Sequence, residues 1–205
     1  MPSFLIIHGW HGSPSGHWQH WLAAQLHTAG HRVHFPSLPD ASIPKLEPWL
    51  SRLDMEMSAI RQSNPDETCV ICHSLGAVLW LHYVHRYPNT RIGRLLLVAP
   101  PGPEVAIGPL LPFFPAPLDA RLVSSTARKA ELVCSNADPF CPSGAKLSYG
   151  LPLQLRHHLL EDEAAHINID SGFGPWPWVE NWCLNSTSSG VETAPLPRRD
   201  GLDEP

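Results

Sequence analysis

Short apolar runs alternate with longer amphipathic segments along most of the chain. The apolar runs have the length and side-chain content of β-strands and cover residues 4–7, 31–35, 68–72, 94–99, 130–135 and 153–160. The segments between them predict helices over 17–29, 44–63, 75–87, 120–128, 142–149 and about 176–185. This alternation predicts an α/β fold, with an about six-stranded, mainly parallel sheet covered by helices on both faces.

Two segments interrupt the alternation. Residues 100–117 carry seven prolines among apolar residues, and proline resists both helix and sheet. We therefore expect an apolar loop there that walls a substrate pocket, with Phe113 and Phe114 as candidate lining residues. Residues 186–205 have the Ser, Pro and charged content of a disordered tail, which leaves 1–185 as one domain.

Composition narrows the class of protein further. The chain of 205 residues is 43% hydrophobic and 16% charged, as expected of a globular domain. A net charge of −5 without a Lys/Arg run argues against a nucleic-acid partner. No apolar run reaches the roughly 18 residues of a membrane span, and the first residues do not resemble a secretory signal.

The cysteines predict a cytoplasmic location. They are five in number and scattered along the chain, as expected of thiols in a reducing compartment. Cys69 and Cys72 have the spacing of a metal or redox pair, but both lie in a predicted strand. Positions three apart on a strand face opposite sides of the sheet, so we expect these two sulfurs to be separated.

The predicted strand 68–72 runs directly into His73-Ser74-Leu75-Gly76 and then into a helix. In the G-x-S-x-G motif of α/β-hydrolases, such a strand–turn–helix exposes a nucleophilic serine beside a backbone amide. Here Cys72 stands in place of the first glycine. Ser74 is therefore a candidate nucleophile, although a serine at this place could instead cap the following helix.

A nucleophilic serine needs a base and an acid that orients the base, in the chain order Ser, Asp or Glu, His. Asp138 follows the predicted strand 130–135, and His166 follows the strand 153–160. Asp before Pro is also an ordinary turn residue. The other histidines after Asp138 are His157 and His158, which lie inside a predicted strand, so the order favours His166.

The stretch HGWHGSPSGHWQHW, residues 8–21, carries four histidines. It follows the first strand, where this fold class supplies an oxyanion-hole amide. We expect Gly9 to allow a close turn at the substrate, and the amides of Trp10 and Leu75 to form the oxyanion hole. His17 and His20 have the i, i+3 spacing of metal ligands, but no HExxH pattern or carboxylate cluster accompanies them.

The chain resembles the small α/β-hydrolase family of retinoblastoma-binding-protein-like and YdeN-type serine hydrolases over roughly residues 3–184. The similar segments are HGW…SGHWQHW, HSLG, SNADPFCP and AAHIN…SGFGPWP. The resemblance implies a compact fold that lacks the first two strands of larger relatives. It also implies a catalytic triad of Ser74, Asp138 and His166, whereas Cys72 departs from the family pattern.

Together these features predict a cytoplasmic serine hydrolase without metal or cofactor. Its expected substrate is a small carboxylic ester, with amides and thioesters as further candidates, and Gly9 and His73 as additional pocket residues. No nucleic-acid partner or membrane span is expected, and no feature indicates a protein partner. Two alternatives stay open: a protein-binding module with vestigial catalysis, and a metal-dependent hydrolase that uses the amino-terminal histidines.

Overall fold

The computed structural model describes residues 2–61, 65–105 and 108–185. The tail 186–205, for which the sequence predicts disorder, lies outside the described residues. The described strands form one sheet in the order β2-β1-β3-β4-β5-β6, and every neighbouring pair is parallel. The strands are β1 Ser3–Ile7, β2 Arg32–His34, β3 Thr68–His73, β4 Ile92–Val98, β5 Ala127–Ser135 and β6 Arg156–Leu160. The predicted α/β fold is therefore confirmed.

Helices cover both faces of this sheet. They are α1 Trp18–Thr28, α2 Leu46–Ile60, α3 Leu75–Arg86, α4 Ala120–Thr126 and α5 Pro177–Leu184. Buried side chains of α2, α3 and α4 pack on one face, and those of α1 and α5 pack on the other. Within the described ranges, no helix is long and apolar enough to cross a membrane.

Alternation along β3 separates the two cysteines as expected. Cys72 belongs to the core beneath α2 and α3, whereas Cys69 belongs to the core beneath α1 and α5. β1 alternates in the same way, because Leu5 and Ile7 face the first core while Phe4 and Ile6 face the second. A parallel sheet buried on both faces explains why these strands read as continuous apolar runs.

The segment between β5 and β6 differs from its prediction. The predicted helix over 142–149 is a single π-helical turn, Lys146–Gly150, and β6 begins only at Arg156. The amides of Leu153 and Leu155 donate to the carbonyls of Tyr149 and Gly150. These amides bond back to the π-helical turn and are not available to a neighbouring strand, so the apolar residues from 153 do not extend β6.

A buried carboxylate ties α5 to the sheet. Glu131 on β5 is 1% exposed and accepts hydrogen bonds from Trp182 Nε1 on α5 and from His158 Nε2 on β6, the latter at 3.1 Å. Lys129 forms an ion pair with it at 3.0 Å. Burial raises the pKa of Glu131, but the hydrogen bonds from His158, Trp182 and Lys129 outweigh burial and lower that pKa to about 2.

We predict that Glu131→Ala lowers the free energy of unfolding by roughly 3 kcal/mol, because it leaves the buried donors of His158 and Trp182 without their acceptor. The measurement is urea unfolding at pH 7. Arg128→Ala is the matched control on the same strand, because it removes a largely exposed ion pair with Asp66 and should cost less than about 1 kcal/mol. Equal losses in the two variants would contradict a special role for the buried carboxylate.

The difference in unfolding free energy between wild type and Glu131→Ala should depend on pH in a defined way. The folded-state pKa of Glu131, about 2, lies below its ordinary value of 4.5, so the charge stabilises the fold fully above pH 4.5. This contribution is lost as the pH falls from 4.5 toward 2. The stability difference between wild type and Glu131→Ala should therefore shrink over that interval.

Candidate active site

Ser74 lies at the junction of β3 and α3 with a backbone that few non-glycine residues adopt, φ 53° and ψ −129°. Such strained backbone is typical of functional turns. The Ser74 side chain makes no capping hydrogen bond to α3, which contradicts the alternative that the serine serves as a helix cap. Its amide donates to Val98 O at 2.9 Å, which fixes the turn to the end of β4.

Two glycines let the chain close around this turn. A Cβ on Gly76 would lie 2.5 Å from the carbonyl oxygen of His8, and a Cβ on Gly9 would lie 2.7 Å from the Cβ of Ser74. Both distances are shorter than real contacts allow, so neither position accepts a side chain without movement of the backbone. Cys72, in place of the first motif glycine, is buried in the core, and the turn forms with cysteine there.

The structure brings the three predicted triad side chains together. His166 Nε2 lies 2.9 Å from Ser74 Oγ, and His166 Nδ1 lies 2.9 Å from Asp138 Oδ2. Asp138 is 2% exposed and also accepts a hydrogen bond from the amide of Phe140 at 2.8 Å. The three residues follow β3, β5 and β6, whose carboxyl ends meet at one edge of the parallel sheet.

The loop that carries His166 is held by three side chains from different parts of the fold. The carbonyls of residues 165–167 accept, in order, from Ser135 Oγ at 3.0 Å, His73 Nε2 at 3.0 Å and Trp18 Nε1 at 2.8 Å. The first and third of these loop residues have positive φ, 41° and 53°. Three donors on three consecutive carbonyls therefore hold a strained loop in one conformation.

Gly9, which packs against Ser74, and Trp10, which follows it, belong to the loop after β1. The carbonyl oxygen of Gly9 accepts from His8 Nδ1 at 2.9 Å and from the amide of Gly12 at 3.1 Å. His8 Nε2 accepts from the amide of Leu38 at 3.0 Å, so the His8 proton is on Nδ1. These bonds fix the peptide that joins Gly9 to Trp10, and therefore the direction of the Trp10 N–H.

A cavity of about 430 Å³ opens at Ser74. Its described lining combines Ser74 and His166 with mainly apolar and aromatic side chains. The lining residues are Trp10, His11, Gly12, Pro14, His17, His73, Ser74, Leu75, Pro101, Leu110, Phe140, His166, Asn168, Ile169 and Asp170. His73, an expected pocket residue, lines it, and so do Trp10 and Leu75, whose amides are predicted to form the oxyanion hole. The described lining contains no lysine or arginine, and Asp170 is its one carboxylate.

The prediction that Phe113 and Phe114 line this cavity is wrong. Phe113 is fully buried, with its ring 5.3 Å from that of Trp49 on α2, and Phe114 packs on the same core. The proline-rich segment meets the cavity instead through Pro101 and Leu110. Leu110 and Phe113 both pack in the same core, and only Leu110 also reaches the cavity wall, so apolar character alone does not distinguish a wall residue from a core residue. Gly9, also expected in the pocket, lies against Ser74 and does not line the cavity.

The amino-terminal histidines do not form a metal site within the described ranges. No three His, Cys, Asp or Glu side chains there are grouped to hold an ion. His20 Nε2 donates to Ser13 O at 2.7 Å, and His17 Nδ1 accepts from the amide of Gln19 at 3.2 Å. The two imidazoles are therefore engaged by backbone groups on their own segment.

Sequence reasoning missed the side chains that hold the His166 loop. Trp18 and Ser135 were not candidates, although Ser135 is the last residue of β5 and therefore lies at the sheet edge where Asp138 follows. Trp18 lies 149 positions from the carbonyl that it contacts, and no local pattern indicates that contact. His73 was expected only as a pocket residue.

The family model that this chain matches and the relative YdeN are both described as hydrolases. The family model described as "Serine hydrolase" matches residues 4–184. The hydrolase YdeN of Bacillus subtilis (strain 168) is 26% identical over 177 residues, which cover 85% of this chain and 90% of that protein. Its crystal structure superposes with a TM-score of 0.77 at 22% identity, covering 89% of this chain and 96% of that one.

Two other solved structures share the fold. A YdeN-like hydrolase from Pectobacterium atrosepticum has a TM-score of 0.65 at 20% identity, covering 89% of this chain and 88% of its own. The thioesterase domain from the curacin biosynthetic pathway has a TM-score of 0.59 at 16% identity, covering 90% and 91%. Because the family model spans almost the whole described domain, the chain belongs to the serine hydrolase family, as a small YdeN-type member of the α/β-hydrolase superfamily.

Proposed function

We propose that the protein hydrolyses carboxylic esters through a Ser74–His166–Asp138 triad and an acyl-enzyme. One observation carries the proposal: a continuous chain of hydrogen bonds runs from Ser74 Oγ through both nitrogens of His166 to the Asp138 carboxylate. Such a chain is what a serine needs in order to lose its proton while it attacks.

In this mechanism Ser74 Oγ attacks the acyl carbon, and its proton passes to His166 Nε2. Asp138 holds the other ring nitrogen and stabilises the imidazolium that forms. The tetrahedral intermediate collapses, and His166 returns the proton to the departing alcohol oxygen. A water molecule, activated by the same imidazole, then attacks the acyl-enzyme, and Ser74 recovers its proton when the carboxylic acid leaves.

The amides of Trp10 and Leu75 are the proposed oxyanion donors. Leu75 is the first residue of α3, and an amide at that position has no partner within its own helix. The Trp10 amide belongs to the peptide whose carbonyl His8 and Gly12 hold. Donors fixed before the reaction stabilise the developing charge without reorganisation, and loss of one such donor costs about 10²–10³ in kcat.

The cavity favours an uncharged acyl group. Pro101, Leu110, Phe140 and Ile169 provide apolar surface, and the described lining offers no lysine or arginine to an anionic substituent. Burial holds the pKa of His73 well below its ordinary range, and burial together with His20 and His166 lowers the pKa of His17 to about 3. These two imidazoles are therefore neutral at pH 7 and do not supply positive charge.

Thioesters are a second substrate class for the same chemistry. The similarity in fold to a thioesterase domain supports them, since an acyl-enzyme forms equally from either leaving group. A cytoplasmic location is also proposed, supported by the cysteines of the described chain, which are all free and buried.

The nucleophile is tested by Ser74→Ala, which should lower kcat for a p-nitrophenyl ester by on the order of 10⁶, because the triad acts as a unit. A fluorophosphonate probe should label the wild type and leave the variant unlabelled. Ser124→Ala, on the distant helix α4, is the matched control and should keep both activities. Undiminished turnover or labelling of purified Ser74→Ala would refute the proposed nucleophile.

The role of the hydrogen bond from Trp18 to the His166 loop is tested by Trp18→Phe. This variant removes the donor to Ile167 O and preserves a buried aromatic ring. Displacement of the base should lower kcat by roughly tenfold to a hundredfold while KM changes little. Trp182→Phe is the control, because it also removes a buried indole N–H beneath the same face of the sheet, but that N–H donates to Glu131 and not to the loop. Similar kcat losses in the two folded variants would show a general packing effect.

The charge preference is tested with two p-nitrophenyl esters of similar length, one with a neutral pentanoyl group and one with an anionic monosuccinyl group. We expect kcat/KM for the neutral ester to exceed that for the anionic ester by at least about tenfold. A carboxylate that loses water in the cavity and finds no partner there costs on the order of 1–3 kcal/mol or more. Asp170→Asn should reduce this ratio, because it removes the carboxylate from the cavity wall. A wild-type preference for the anionic ester would contradict the proposed substrate class.

A further inference from the structure

His17 precedes α1 as its N-cap residue, with extended backbone at φ −65° and ψ 144°. Its Nδ1 accepts a hydrogen bond from the amide of Gln19 at 3.2 Å. A ring nitrogen that accepts from an amide carries no proton, so in the neutral ring the proton is on Nε2. The cap therefore fixes one tautomer and leaves an N–H donor on the far edge of the ring.

His17 borders the active-site cavity. His17 is 3% exposed and contributes to the cavity lining. Its ring centroid lies 4.9 Å from that of His73, which in turn lies 5.0 Å from that of His166. Within the described part of the chain, His17 Nε2 has no hydrogen-bond partner. The His17 ring therefore lies on the side of the cavity that His73 and His166 border.

The environment keeps this donor uncharged. Burial is the main cause that lowers the pKa of His17 to about 3, and the nearby imidazoles of His20, His166 and His8 lower it further. The ring is therefore a neutral donor between pH 6 and 8. Because its basic nitrogen is occupied by the helix cap, His17 is not a second general base.

The leaving group of an ester must lie beside the catalytic imidazole, because that imidazole returns the proton to the departing oxygen. We propose that His17 determines leaving-group specificity, by donating its Nε2–H to a second oxygen in the alcohol part of the substrate. The preferred esters carry an ether, hydroxyl or carbonyl oxygen a few atoms beyond the ester oxygen. This inference rests on the proposed esterase function.

A helix cap alone does not require histidine. Asn, Asp and Ser are the preferred N-cap residues, whereas the histidine ring extends beyond the cap into the cavity. His17→Asn separates the two roles, since asparagine keeps an oxygen for the Gln19 amide but is too short to offer the same donor to a substrate. His17→Ala removes both roles.

The test compares two esters that differ by one atom, butyl butanoate and 2-methoxyethyl butanoate. For each protein we take the kcat/KM for the methoxyethyl ester divided by that for the butyl ester. This ratio for the wild type is then divided by the ratio for the variant, so that intrinsic differences in the reactivity of the two esters cancel. We expect His17→Asn to reduce the preference for the methoxyethyl ester by about tenfold, as for one hydrogen bond of ordinary net strength. Its Tm should stay above that of His17→Ala, because the cap is kept although the contacts of the ring with Trp18 and His73 are lost.

Three controls accompany this measurement. His20→Asn, three positions along α1, should keep the wild-type ratio, because His20 bonds to Ser13 O and does not line the cavity. His17→Ala should lose the same selectivity and also melt at a lower temperature. Placing the ether oxygen in the acyl chain should give no dependence on His17.

The possible failures are distinguishable. An active wild type whose ratio is unchanged in His17→Asn overturns the assignment of His17 while the proposed esterase function stands. A change in acyl selectivity alone also overturns it, since the donor would then face the other half of the substrate. A wild type that neither hydrolyses esters nor reacts with a fluorophosphonate would refute the proposed function, and this inference with it.

Discussion

The positive-φ turn at Ser74 is the constraint on which the rest of the site depends. A serine held in that conformation presents Oγ above the sheet, but only if β1 and the start of α3 approach it closely. Gly76 permits the approach of α3 to the carbonyl of His8, and Gly9 permits the approach of the following loop to Ser74. The strain is stabilised by its surroundings, since Ser74 N is bonded to β4 and the neighbouring strand residues are buried.

The parallel sheet converts this local constraint into a complete site. Because every described strand runs in the same direction, the loops after β1, β3, β5 and β6 open at the same edge. The proposed oxyanion donors, nucleophile, acid and base come from these four loops. The bonds from Ser135, His73 and Trp18 to residues 165–167 then tie the loop after β6 to the ends of β5 and β3 and to α1, so fold stability and the position of His166 depend on the same contacts.

The sequence was informative where function follows from local pattern and strand order. Ser74, Asp138 and His166 each follow a recognisable apolar run, so their meeting could be predicted from a parallel sheet alone. Phe113 and Phe114 could not be placed, because hydrophobicity does not distinguish a cavity wall from the core beneath it. The contact between Trp18 and Ile167 is equally invisible in the sequence, since its partners lie far apart and one of them is a backbone carbonyl.

The sequence leaves open whether the histidines near the site bind metal, transfer protons or only donate and accept hydrogen bonds, and the tertiary structure decides between these roles. His17 and His73 each commit one ring nitrogen to a backbone group and His8 commits both, and burial lowers the pKa of all three. Each ring is thereby held in one orientation and in its neutral form, which suits it to donate or accept a fixed hydrogen bond. In the proposed mechanism, such neutral rings hold the geometry around the charged intermediate at Ser74 without exchanging protons, and proton transfer is assigned to His166 alone.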